Sequence, residues 1–228
     1  MIGEPFALQI KENIDRPSIK LINKFKNVPT THLADALNGL GCLDYKIKPI
    51  DEKMSFCGPA VTTFCGPLDN LGAMAVLDFV ERGDIIVISA GGDLKAAKIG
   101  DLWLEVAKKK GVAGVVCDGL VRDKEGLLAL GTPVFSIGIS SNSGFKNGPS
   151  TLNLPVVCGG INISPGDIIA GDRDGVVRIP KTDIAKVEKN LHEVSNVEKD
   201  TISALKCGKK IKFWNRSALQ KKIELIND

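Results

Sequence analysis

Histidine is almost missing from the chain: His32 and His192 are the only two. That is too few for a His-rich zinc centre and a weak basis for a Ser-His-Asp triad. Any metal would have to be taken by oxygen, which points to Mg²⁺, Mn²⁺ or a similar hard cation. Cysteine is present but unorganised. Cys42, Cys57, Cys65, Cys117, Cys158 and Cys207 form no CxxC pair and lie mostly within apolar runs, the pattern of structural thiols in a reducing compartment. A charge excess is also lacking. Thirty Lys and Arg stand against 27 Asp and Glu, a net charge of +3, so there is little general attraction for nucleic acid or an anionic membrane. Small-molecule or protein partners fit better. No apolar run is long enough to cross a bilayer. The opening residues, MIGEPFALQIKENIDRP, carry acidic residues early and do not read as a secretory signal, so a cytoplasmic location is expected. GxGxxG and GxxxxGK[ST] are both missing, so neither a dinucleotide nor a nucleoside triphosphate is called for. Heptads, internal repeats and low-complexity tracts are missing too.

What is there gathers around Gly83–Asp123, GDIIVISAGGDLKAAKIGDLWLEVAKKKGVAGVVCDGLVRD. An apolar run (Ile85 to Ala90), a glycine turn (Gly91, Gly92), a helix-period segment (Leu102 to Lys110) and a second apolar run (Val112 to Cys117) give the order strand, helix, strand. Before this unit, Ile19 to Phe25 is amphipathic. Thr30 or Thr31 caps a predicted helix that runs through Leu40 and stops at Gly39 to Gly41. Gly58 to Cys65 reads as a strand, and Asn70 to Glu81 as an amphipathic helix. After it come a short helix from Leu127 to Leu130, a strand from Pro133 to Ser140, and a polar loop, Ser141 to Ser150, expected to be mobile.

Between Val156 and Pro180, short apolar runs are split by Ser164-Pro-Gly-Asp167 and Asp172-Arg-Asp-Gly175, which is turn chemistry that predicts antiparallel or mixed sheet. Lys181 to Lys206 then reads as a long polar helix stopped by Gly208. Asp118-Gly119 is assigned to a turn. A chain of this length can bury a sizeable core. The reading is one α/β domain over residues 1–208, followed by a basic tail, 209–228, taken as a solvated face.

Three polar residues sit where such a unit presents chemistry. Asp101 opens the helix, and Arg122 with Asp123 follow the second strand. The amides at a helix start lack intrahelical acceptors and can bind a carboxylate. Arg122 offers a planar fork suited to the same anion, and Asp123 a hard anionic oxygen. Together they suit a 2-oxo acid and a divalent cation. The competing reading makes Asp101 an N-cap, Arg122–Asp123 an exposed turn pair, and the lone His32 a capping or packing residue.

Asp101, twenty intervening residues, then Arg122-Asp123, set in GGDLKAAKIGDLWLEVAKKKGVAGVVCDGLVRD, resembles the 4-hydroxy-4-methyl-2-oxoglutarate / 4-carboxy-4-hydroxy-2-oxoadipate aldolases. That superfamily also holds the non-catalytic regulators of ribonuclease E activity. The likeness runs from about Thr30 to Gly208. It implies a swivelling β/β/α-like α/β fold with a central mixed sheet flanked by helices and a C-terminal helical extension. It also implies a homotrimer or a pair of trimers, and a class II, metal-dependent pyruvate aldolase with oxaloacetate decarboxylase side activity. By the resemblance, Gly100, Asp101, Leu102 and Trp103 would hold pyruvate, Arg122 would bind it, Asp123 would bind Mg²⁺ or Mn²⁺, and Asp101 would order water at the metal. A glutamate from a neighbouring subunit, ten residues before the glycine that ends the long helix, would complete the site. Glu198 has that spacing, with Glu193 as the rival. The alternative function is a non-catalytic regulator of a ribonuclease or another protein partner.

Overall fold

The computed structural model describes residues 6–213 and residue 222. In chain order the elements are β1 (Leu8–Ile10), α1 (Ile19–Ile22), α2 (Thr30–Ala36), β2 (Lys48–Pro49), β3 (Phe56–Cys65), α3 (Leu71–Ala75), β4 (Ile85–Ser89), β5 (Ala97–Ile99) and α4 (Asp101–Lys109). They continue with β6 (Gly114–Val121), α5 (Lys124–Leu130), β7 (Val134–Ile139), β8 (Ser150–Leu152), β9 (Val156–Cys158), β10 (Ile161–Ile163), β11 (Ile168–Asp172), β12 (Gly175–Ile179) and α6 (Ile184–Lys206).

The apolar runs of β3, β4, β6 and β7 pair in parallel in that order, with β5 joining the far end of β6. All five residues of β4 are buried. This explains why its sequence is continuous rather than alternating: both faces of the sheet are covered. On one face Val61, Ile86, Ile88, Val115 and Cys117 pack beneath Ala73, Trp103, Leu104 and Leu127 of the helices. On the other, Ile85, Val87, Val116 and Phe135 meet Val156, Ile163, Ile169 and Val176 of the C-terminal strands. Antiparallel strands complete a mixed sheet. β11 pairs with β3 and β12, β8 with β3, and β2 with β7. A third cluster joins α1, α2 and the first turns of α6 to β11 and β12 through Phe25, Leu33, Ile168, Ile179, Ile184 and Val187. The expected central mixed sheet flanked by helices, with a C-terminal helix, is therefore the fold observed.

Several predicted elements change shape for identifiable reasons. The segment 70–81 is α3 followed by a 3₁₀ turn, Val76–Phe79. Arg16 ends it, bonding Phe79 O and taking the Asp84 carboxylate just beyond. α2 starts at Thr30, but the Thr30 hydroxyl does not cap it; amide and hydroxyl both donate to Asp172, at 2.8 and 2.6 Å. The helix stops at Ala36, before the left-handed Asn38 and Gly39.

Asp118-Gly119 is not a turn. It lies within β6, because the Asp118 carboxylate accepts from Ala90 N (2.5 Å) and Gly159 N (3.1 Å) and replaces ladder partners where the register shifts. Burial pushes the Asp118 carboxyl above its ordinary value, against those amide bonds. The loop expected to be mobile is pinned: Asn147 N and Gly148 N donate to Asp69 Oδ2 at 2.6 and 2.9 Å, and Phe145 N donates to Leu68 O at 2.7 Å. The expected basic tail is described only to Phe213 and at Lys222, so Arg216 and Lys221 lie outside the described residues.

Candidate functional site

The parallel strands β5 and β6 end side by side, and the segments leaving those two ends form one cleft. β5 runs into Gly100 and α4, while β6 runs into Arg122, Asp123 and α5. Arg122 N donates to Ile99 O at 3.0 Å, locking the two exits together. The cleft has a volume of about 390 Å³. Its lining includes Gly100, Asp101, Trp103, Arg122 and Asp123 together with Asn70, Met74, Ser143 and Lys146.

Gly100 lets these groups converge. A Cβ there would fall on Asp123 Oδ2 and crowd Arg122 Nε and Cγ at 3.2 Å, so a side chain at this position would have to push both groups aside. Gly126 of α5 does the same for Asp101, whose carboxylate occupies the space a side chain would need. The first i to i−4 bond of α4 runs from Leu104 N to Gly100 O at 3.1 Å, so the amides of Asp101, Leu102 and Trp103 have no intrahelical acceptor. Asp101 Oδ1 takes the Leu102 amide at 2.7 Å. The Trp103 side chain is anchored elsewhere, its indole N–H donating to Ala73 O at 2.6 Å. What Trp103 offers a ligand is therefore its backbone amide.

Asp123 has φ +59°, ψ +47°, the left-handed region that non-glycine residues seldom occupy. Its Oδ2 lies 3.2 Å from Arg122 Nε, with both side chains a little over two-fifths exposed. No group of three His, Cys, Asp or Glu that could hold a metal is found among the described residues, so those residues form no closed protein cage. A hard cation that keeps its waters and takes substrate oxygens needs only one or two carboxylates, and Asp123, with Asp101 in the same cleft, fits that sparse donor set.

Glu198 is not among the residues lining this cleft. It sits on α6, which packs against α2, with Oε2 3.0 Å from His32 Nε2. That contact gives His32 its partner. Glu193 is exposed on the same helix. Beyond its first turns α6 leaves Val197, Ile202 and Leu205 exposed. Asn70, Ser143 and Lys146 are cleft residues that sequence reasoning missed. Asn70 reads only as the first residue of an amphipathic helix, and the other two lie in a loop without periodicity.

Cys65, Cys117 and Cys158 are buried and Cys57 half-buried, as structural thiols are, whereas Cys42 and Cys207 are exposed. All six are free, and burial pushes Cys65 to about 11 and Cys57 to about 12, above the reactive range.

A helix start whose first amides lack intrahelical acceptors, an arginine and an aspartate meet at adjacent strand ends of a mixed α/β sheet, an arrangement chemically suited to a small carboxylate. Residues 30–178 match the family profile described as RraA-like (Aldolase/RraA), and the chain belongs to that family. A Halalkalibacterium halodurans protein provisionally named 4-hydroxy-4-methyl-2-oxoglutarate aldolase is 42% identical over 168 residues, covering 74% of this chain and 80% of that one. The crystal structure of Streptomyces coelicolor RraAS2, described as an unusual member of the RNase ES inhibitor RraA family, superposes with a TM-score of 0.74 at 26% identity. The match covers 82% of this chain and 99% of that one. The RNA-processing inhibitor RraA from Thermus thermophilis gives 0.62 at 27%, over 68% and 93%.

Proposed function

We propose that this protein is a class II pyruvate aldolase that cleaves a 4-hydroxy-2-oxo diacid, of the 4-hydroxy-4-methyl-2-oxoglutarate type, and decarboxylates oxaloacetate at the same site. The observation that carries the reading is the convergence of Gly100, Arg122 and Asp123 at the start of α4. The 42% identical relative's name supports it.

The amides of Asp101 and Trp103, which have no intrahelical acceptor, and the Arg122 guanidinium bind the pyruvyl carboxylate and fix its plane. Asp123, with Asp101 nearby, would hold Mg²⁺ or Mn²⁺, which when bound stabilises negative charge developing on the 2-oxo oxygen by several kcal/mol. In retro-aldol cleavage the C4 hydroxyl gives its proton to the water that Asp101 orders, the C3–C4 bond breaks with its electron pair left on C3 as the enolate of pyruvate, and C4 becomes a carbonyl. Loss of CO₂ from oxaloacetate reaches the same enolate. Asp101 orders the water that returns a proton to C3. No Schiff-base lysine is required.

Because Glu198 lies away from its own cleft, the reading includes a homo-oligomer, a trimer or a pair of trimers, in which the exposed half of α6 carries Glu198 to a neighbour's site. Refolding Arg122→Ala with Glu198→Ala should restore turnover that neither variant shows alone. No recovery in proven hybrids makes Glu193 the next residue to test.

The deciding assay is pyruvate release from oxaloacetate with Mg²⁺ and with excess chelator. Metal-dependent turnover supports the enzyme. Its absence transfers the reading to a regulator that binds a ribonuclease or another protein, in keeping with the description of RraAS2's family as RNase ES inhibitors.

A further inference from the structure

Two cationic side chains line the cleft, Arg122 and Lys146, beside the carboxylates of Asp101 and Asp123. They come from opposite sides of β5. On one side Val121 of β6 pairs with Ile99, so Arg122 stands level with Gly100. On the other, Ala97 bridges Ser143 in parallel, and its amide donates to Asn142 O at 3.0 Å. Three residues beyond that bridge, Lys146 comes level with Gly100 as well. Two inter-strand spacings, roughly 10 Å, separate the two backbones, and the start of α4 lies between them.

The segment that carries Lys146 is held on both sides of it. Phe145 N donates to Leu68 O at 2.7 Å and Phe145 O accepts Asn70 N at 2.8 Å, while Asn147 N and Gly148 N donate to Asp69 Oδ2. Asp69 is anchored in turn, its carbonyl accepting from the fully buried Lys98 ammonium at 3.0 Å. The Lys146 side chain is exposed and, among the described residues, makes no ion pair. Arg122 differs, since its Nε already has Asp123 Oδ2 at 3.2 Å. Lys146 is thus the cation of the cleft whose charge the protein leaves uncommitted.

We infer that Lys146 is a specificity-determining residue that pairs with the substrate's second carboxylate, an inference that rests on the aldolase reading. That reading sets the pyruvyl carboxylate on Arg122 and the amides of Asp101 and Trp103. A diacid carries another carboxylate at the far end of its carbon chain, and the lining offers it one remaining cation. The rest of that wall includes Met74, Leu77 and Val106, beside which an unpaired carboxylate would lose hydration without compensation. Charge balance points the same way. The two aspartates of the cleft and the two carboxylates of the substrate are cancelled by a divalent cation, Arg122 and Lys146 together, so a cleft without Lys146 suits an acid whose far end is uncharged. Lys146 therefore reads the feature that separates a diacid from a monoacid with the same pyruvyl end.

The test uses the full chain in Mg²⁺ with Lys146→Met, which removes the charge at similar length, and Lys146→Glu, which reverses it. The probes are two competitive inhibitors of oxaloacetate decarboxylation, 2-oxoglutarate and 2-oxobutyrate, alike at the pyruvyl end and different in the far carboxylate. Wild type should bind the diacid more tightly. Lys146→Met should raise the Ki of 2-oxoglutarate roughly 3- to 10-fold, the worth of a charge pair in a partly open cleft, and that of 2-oxobutyrate less than about twofold. Lys146→Glu should extend the loss for the diacid to roughly 10- to 100-fold, because like charges then face each other. Added salt should shrink the preference of wild type for the diacid and leave that of Lys146→Met unchanged. Tm should stay within about 2 °C for both variants, as the side chain is exposed. Equal losses for the two inhibitors overturn the inference and place Lys146 at the pyruvyl end. Unchanged Ki values overturn it too and make Lys146 a solvated side chain. Wild type that decarboxylates oxaloacetate without preferring the diacid overturns the inference alone. Wild type with no metal-dependent turnover overturns the aldolase reading and the inference together.

Discussion

Two arginine–aspartate pairs stand at opposite ends of the parallel sheet. Arg16–Asp84 lies before β4 begins. Asp84 is fully buried, takes Arg16 Nε at 3.0 Å and Nη2 at 2.9 Å, and accepts Glu81 N at 2.6 Å besides. Arg122–Asp123 lies where β6 ends, half exposed, joined by one contact of 3.2 Å, with the aspartate in a left-handed backbone. The first pair is saturated, and its bidentate geometry closes the bottom of the sheet. The second leaves most of its polar atoms unpaired by protein and stands on a left-handed backbone. The same two residue types therefore do opposite work, and the difference is how many of their polar atoms the protein itself occupies.

The sharpest way to break the comparison is to neutralise each aspartate. Asp123→Asn keeps the shape and tolerates the left-handed backbone. It should cost roughly a thousandfold or more in metal-dependent turnover, as loss of a charge that positions a catalytic cation would, while Tm stays within about 2 °C. Asp84→Asn should do the reverse. It leaves Arg16 only the exposed Glu81 carboxylate, 3.0 Å from its Nη1, as a countercharge, so it should destabilise by about 1.5–3 kcal/mol in urea denaturation, with turnover per folded molecule unchanged. If the two variants swap profiles, the assignment of structural and functional ends is wrong.

A smaller effect is expected from Arg122→Lys. An ammonium cannot make the two parallel bonds of a guanidinium to a carboxylate, so kcat/KM for oxaloacetate should fall roughly 10- to 100-fold, nearly as far as for Arg122→Ala. Near-native kinetics for Arg122→Lys would return the pair to the surface-turn reading.

The smallest is a pH effect that belongs to the saturated class. Burial works against the charge of Asp93, but Lys98 and the amides of Leu68 and Lys95 outweigh it and hold the carboxyl below its ordinary value. A carboxyl depressed in the folded state contributes stability that is complete above the unfolded value, about 3.9, and is lost as pH falls through the folded value. Calorimetry should find Tm level between about pH 7 and 5 and falling below about pH 4. An Asp93→Asn variant should be less stable at neutral pH and show a shallower acid limb.

Much of the fold and the core of the site were legible in the sequence, for physical reasons. Buried parallel strands such as β4 and β6 have to be continuously apolar, so Ile85 to Ala90 and Val112 to Cys117 located the sheet. The start of α4 at Asp101 followed from the helix period of Leu102 to Lys110, whereas β6 runs past the apolar stretch to Val121 before Arg122 leaves it. Residues whose partners are distant in the chain were not legible. Nothing near Lys98 in AKIGD indicates a fully buried ammonium, because its acceptors lie at Gly66, Asp69 and Asp93. Asp118-Gly119 has the composition of a turn, yet the amides of Ala90 and Gly159 keep it in a strand. Asn70 was read only as the first residue of an amphipathic helix, and nothing in its local sequence shows that it lines the cleft. β5 was overlooked because three residues carry no period.

Gly100 and Gly126 each fill the space beside a site carboxylate with nothing, and no other residue can imitate that: every alternative adds a Cβ where Asp123 or Asp101 already sits. Neither glycine carries chemistry, so a descendant could keep Asp101, Arg122 and Asp123 letter for letter and fall silent through one codon change at either position. In a family that includes proteins described as ribonuclease inhibitors, these two positions separate chains that can bring the charged trio together in one cleft from chains that merely carry its letters.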